Sequence, residues 1–120
     1  MSFNPQTFLT VSKELMSGST EAHYRSTINR AYYGAFGYIR NRLAIFVDHG
    51  SVHQAVISSL RRALSVQKRQ AAARLEKLFE KRKEADYEHR REVKAHNCHF
   101  WVKEAEDIIK LFDQAEKANI

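Results

Sequence analysis

The chain has 120 residues, 43% of them hydrophobic, with one Pro, four Gly, one Cys and a formal net charge of +6. That length gives one domain over residues 1–120, and so little Pro and Gly fits a compact helical protein rather than a sandwich or a disordered chain. The lone Cys98 excludes an intramolecular disulfide and agrees with a reducing cytoplasm; Met1-Ser-Phe-Asn-Pro5 does not read as a signal peptide, and no apolar run approaches the ~18 residues of a membrane span.

The first helix is predicted from Asn4-Pro5, a capping residue followed by a first-turn proline. Its apolar stripe is Phe8, Val11, Leu15 and Met16, with Gly18 as the stop. Ser19 or Thr20 caps a second, central helix, with Glu21 in its first turn. The stripe there runs Tyr24, Ile28, Ala31, Tyr32, Ala35, Phe36, Ile39, Leu43, Phe46, and Asp48-His49-Gly50-Ser51 breaks it. Val52, Val56, Leu60 and Leu64 mark a third helix, and Val66 to Gln70 is predicted as a turn. A fourth helix turns Ala71, Leu75, Leu78 and Phe79 inward, and Arg82 to His89 is its end or a loop beyond it. Val93, Phe100, Trp101, Ile108, Leu111 and Phe112 mark a last helix to about Lys117. The expectation is all-α, an antiparallel bundle of four to five helices.

Charge is distributed unevenly along these elements. Between Arg61 and Lys94 there are twelve Lys/Arg against six Asp/Glu, whereas the rest of the chain has eight of each. A local basic field of this kind attracts polyanions such as nucleic acid, and a solvated Lys/Arg-rich helix face is the alternative. Inside it, Arg82 and His89 stand seven positions apart, on one face if the segment is helical, with ~10.5 Å between them along the axis. Arginine clamps phosphate and histidine moves protons near neutral pH. An Arg82–Asp86 pair at i,i+4 with a solvated His89 is the purely structural alternative.

A second segment, Arg25-Ser-Thr-Ile-Asn-Arg-Ala-Tyr-Tyr-Gly-Ala-Phe36, combines small Ala31, Gly34 and Ala35 with bulky Tyr32, Tyr33 and Phe36. It reads as a closely packed core helix. Ser26 and Asn29 lie a turn from the tyrosines and are expected at a polar cleft. His96-Asn-Cys-His99 has nominal zinc ligands, but Cys98 falls off the face shared by His96 and His99, so no metal is expected. His23, His49 and His53 lack carboxylates at suggestive spacing and read as structural.

Arg30-Ala-Tyr-Tyr-Gly-Ala-Phe36, followed by Arg82-Lys-Glu-Ala-Asp-Tyr87, resembles the small stand-alone prokaryotic HEPN domains (higher eukaryotes and prokaryotes nucleotide-binding), and Asp48-His-Gly-Ser-Val52-His53 is similar to their linker before the third helix. The likeness spans about Thr20 to Phe112. It implies a cytoplasmic HEPN-like bundle, a homodimer, and a metal-independent, cofactor-free endoribonuclease that cleaves RNA by attack of the substrate's own 2′-hydroxyl. It implies Arg82 and His89 as the catalytic pair, with Ser26, Asn29, Lys83, Asp86, Tyr87 and Arg90 supporting or binding substrate. The implied setting is a toxin–antitoxin or defence pair, with a small nucleotidyltransferase as antitoxin. The alternative is a non-catalytic HEPN module that binds a nucleotide or such a nucleotidyltransferase. Two departures stand out: Lys83 follows the arginine where a polar residue is usual, and Arg91 takes the place of a tyrosine after the histidine.

Overall fold

Hydroxyl side chains start three of the five helices in this computed structural model, which describes residues 3–46 and 50–118. The helices are α1 (Thr7–Met16), α2 (Glu21–Leu43), α3 (Val52–Arg61), α4 (Val66–Tyr87) and α5 (Ala95–Lys117), and no strand occurs among the described residues. Thr20 Oγ1 accepts the backbone N–H of His23 at 3.3 Å, Ser51 Oγ that of Gln54 at 3.1 Å, and Ser65 Oγ that of Lys68 at 3.2 Å. Each such cap satisfies an otherwise orphaned helix N–H and stabilises by about 1 kcal/mol.

α2 is central and packs against all four other helices. Contacts between residues show the directions. Ser12 to Thr27, Asn29 to Asp86 and Arg74 to Glu104 join antiparallel pairs α1/α2, α2/α4 and α4/α5. Cys98 to Tyr24 and Tyr38 to Asp113 align α5 with α2 in the same sense. Between them lie Tyr32, Ile39, Ile57, Leu60, Leu75, Leu78, Ile108 and Phe112, all fully buried. Each such burial contributes roughly 1.5–3 kcal/mol. No helix is long and apolar enough to cross a membrane among the described residues.

The small residues of α2 act as the sequence predicts. A Cβ at Gly34 would lie 2.7 Å from Leu9 Cγ and 3.3 Å from the Leu9 backbone nitrogen, so α1 rests directly on the α2 backbone there. Gly34→Ala is therefore expected to lower stability by about 1–2 kcal/mol, overpacking outweighing alanine's better helix propensity. Urea unfolding measures it.

Several boundaries differ from expectation. Val66 to Gln70 is helix, not turn, because Ser65 caps it; this polar stretch has no apolar stripe of its own to announce a helix. α1 begins at Thr7, two residues beyond the expected Pro5, because Asn4 Oδ1 accepts from Gln6 N–H and Pro5 packs against Gly37. Leu9 and Ser12, not Val11, face the core from α1. α2 stops at Leu43, where Ala44 turns left-handed with φ 53°, so Phe46 leaves the stripe and is exposed. Leu64 and Phe100 also lie outside the core. Of the expected break after α2, Asp48 and His49 lie outside the described residues, while Gly50 has φ 77° and Ser51 starts α3.

Candidate functional site

Asp86 gathers the polar residues singled out in the sequence. Its carboxylate Oδ2 accepts from Asn29 Nδ2 at 3.0 Å and from Arg82 Nη1 at 3.1 Å. Its backbone carbonyl accepts from His89 Nε2 at 2.9 Å. A carbonyl oxygen has no proton to give, so Nε2 carries the hydrogen and the neutral ring keeps its lone pair on Nδ1. His89 therefore does not share a helical face with Arg82. α4 ends at Tyr87, and the chain turns back so that the imidazole returns to the last turn. Both residues meet at Asp86 within one chain, without a second copy.

Around this point opens a cleft of about 400 Å³ between α2 and the end of α4. Ser26, Asn29, Asp86 and His89 line it, as do Arg25 and Arg30. Arg82 does not line it. Its guanidinium sits over the rings of Tyr32 and Tyr33 at 5.6 Å and of Phe79 at 5.3 Å, and its Nε is buried without a hydrogen-bond partner. Burial opposes the charge on Arg82, but the Asp86 hydrogen bond and the neighbouring Tyr33 and Asp86 outweigh it and raise its pKa. Arg30 is the cation left available in the cleft: half-buried above the Phe8 ring at 5.4 Å, it makes no ion pair among the described residues. Lys83, Tyr87 and Arg90 stay outside. Lys83 pairs with Glu80 at 3.1 Å, Arg90 pairs with Glu88 at 3.2 Å, and Tyr87 is exposed.

Arg25 holds the wall that carries His89. Its Nη1 donates to the carbonyl of Ala85 at 2.8 Å, and more weakly to those of Glu88 at 3.3 Å and Glu84 at 3.4 Å. Its Nη2 donates to the Arg91 carbonyl, and its Nε to Glu21 Oε2 at 2.8 Å. One cation thus sits on carbonyls at the negative end of α4 and just beyond it, and ties down the chain on both sides of His89. Neither Arg25 nor Arg30 stood out in the sequence as a site residue.

A second polar network lies under the aromatic shelf. Tyr32 Oη donates to His53 Nδ1 at 2.7 Å, and His53 Nε2 donates to Glu76 Oε2 at 3.2 Å. The His53 ring stacks on Phe79 with centroids 3.7 Å apart. His53 was expected to lack a carboxylate partner; Glu76, 23 residues away on α4, supplies one. Burial, first, with Lys83 and Arg82 behind it, lowers the His53 pKa against the raising effect of Glu76. Burial, first, and Tyr33 push the Tyr32 hydroxyl far above its ordinary value, so it stays a donor. A histidine whose folded pKa is depressed contributes stability present above its unfolded pKa of about 6.5 and lost as pH falls through the folded value. Thermal scans from about pH 7 to 5 should show that loss, and His53→Gln should flatten it.

The His96–His99 segment forms no shared site with Cys98. The histidines are exposed, whereas the Cys98 thiol is buried and donates to the Tyr24 carbonyl at 3.4 Å. Burial pushes that thiol up to about 11.

Comparison of the chain with protein-family models, curated proteins and solved structures finds no match.

Proposed function

We propose that the protein is a metal-independent endoribonuclease of HEPN type, acting on RNA from the Asp86 cleft. The observation that carries this reading is Asp86 itself, which lines the cleft with Asn29 and His89, bonds to both, and is tied from behind by Arg82. His89 Nδ1 is the base that takes the proton of the substrate's 2′-hydroxyl as its oxygen attacks the adjacent phosphorus. The leaving 5′-oxygen departs with a proton from water or from the imidazolium so formed, leaving a 2′,3′-cyclic phosphate. Arg30, the available cation, meets the phosphate, and Arg82 acts through Asp86 by holding the cleft wall. A homodimer and a nucleotidyltransferase antitoxin belong to this reading as partners, and the cytoplasm as its location. The test is incubation of the purified chain, freed of any partner, with end-labelled RNA in EDTA. Cleavage leaving cyclic-phosphate ends supports the reading, and intact RNA rejects it.

One observation favours the second reading, a non-catalytic nucleotide- or partner-binding module. The Arg82 guanidinium is tied to Asp86 and faces the aromatic shelf rather than the cleft. Intact RNA together with saturable binding of a mononucleotide would select it.

A further inference from the structure

A separate aromatic groove of about 650 Å³ opens between the segment ahead of α1, α1 itself and the C-terminal half of α2. Phe3, Phe8, Tyr33 and Phe46 supply its rings, and Arg40 its charge. Phe3 is 52% and Phe46 69% exposed, far more than rings of that size usually are. The groove exists because Gly37 lets the chain ahead of α1 touch α2: a Cβ there would lie 2.7 Å from Pro5 Cβ. Guanidinium groups lie over its rings, Arg40 above Phe46 at 5.6 Å and Arg30 above Phe8 at 5.4 Å. No carboxylate is among the described lining residues.

The groove and the cleft lie along one face of α2. Ser26, Arg30, Tyr33, Gly37 and Arg40 follow steps of four, three, four and three, and the face spans ~21 Å. Flat rings beside the Arg40 guanidinium, with no carboxylate among the described lining residues, match an unpaired base with its phosphate. They match a second copy poorly, because a two-fold seam would set each arginine-rich patch against its own duplicate. Volume agrees, within the roughly 300–1,000 Å³ usual for sites that take small molecules.

We infer that this groove is a nucleobase subsite, taking an unpaired base of the strand whose backbone reaches the Asp86 cleft. The inference rests on the RNA reading of that cleft, but not on cleavage. The experiment is fluorescence polarisation with a labelled single-stranded 2′-O-methyl oligouridylate of about 12 nucleotides, which no 2′-hydroxyl attack can cut. Phe46→Ala should weaken binding by about 5- to 150-fold, the loss that follows removal of one base-stacking ring. Leu64→Ala, at a residue 90% exposed and outside the groove, should leave binding unchanged. An abasic version of the strand should bind the unaltered protein as weakly as the intact strand binds Phe46→Ala. Equal affinity of Phe46→Ala and the unaltered protein would overturn the inference. So would a Phe46→Ala protein that changes its oligomeric mass in sedimentation while RNA affinity holds, which would give the groove to a second copy. A protein that binds by these criteria but leaves natural RNA intact loses the enzyme and keeps the subsite.

Discussion

His89→Ala is expected to lower RNA cleavage by about 10²–10⁴-fold, the usual contribution of a positioned acid–base group. The expectation is specific because Nε2–H is taken up by the Asp86 carbonyl, which leaves Nδ1 as the ring nitrogen with a lone pair for proton transfer. Circular dichroism should be unchanged, since His89 is exposed and lies beyond the end of α4. Single-turnover cleavage of end-labelled RNA at saturating protein reads the chemical step, and EDTA should leave it unaltered. A His89→Ala protein that cuts at the original rate would assign the chemistry elsewhere. Arg30→Ala separates the roles further. It should weaken cleavage by removing the cation available to phosphate, whereas Arg82→Lys should act mainly through Asp86 and the cleft wall.

Arg25→Ala should be the most destabilising change at the site. The side chain is 14% exposed and donates to four backbone carbonyls and to Glu21. Hydrogen bonds to a charged group contribute about 1.5–3 kcal/mol, and losing them takes the charged donor from the Ala85, Glu88 and Arg91 carbonyls. For a chain of this length that is a fall in Tm of roughly 5–12 °C. The loss should be local as well as global. The Glu88 amide, which donates to the Glu84 carbonyl at 2.9 Å, should exchange faster with solvent, while the α3 core at Ile57 and Leu60 keeps its relative protection. Arg25→Lys should recover only part, because one ammonium cannot fork between Ala85 and Arg91. Uniform loss of protection across all five helices would contradict the clamp.

What the sequence made legible follows from how far apart the interacting partners stand. Thr20 bonds within three residues and stands directly before an apolar stripe, so the start of α2 could be read, whereas Ser65, which bonds equally locally, precedes a stretch with no such stripe. The apolar stripe of α2 and the close approach at Gly34 were readable for the same reason, since side-chain spacing and size suffice. Ser26 and Asn29 were expected at a polar cleft, and they line one. Arg25 was hidden because its partners are mostly carbonyls, which every residue has and no pattern marks. The Tyr32–His53–Glu76 chain was hidden because it spans three helices, with partners 21 and 23 residues apart. The turn after Tyr87 was only half legible: Arg82 to His89 read as the helix end or a loop beyond it, because a seven-residue step also suits a helix, and the fork of Arg25 on the carbonyls beyond Tyr87 comes from a distant part of the chain.

The Arg25 clamp also bears on how a ligand would arrive. With the chain on both sides of His89 already fastened to α2, the backbone there has little conformational freedom left to lose on association. Encounter should then proceed as a single bimolecular phase, its rate rising linearly with ligand concentration and set by charge and salt rather than by a slow rearrangement of the turn.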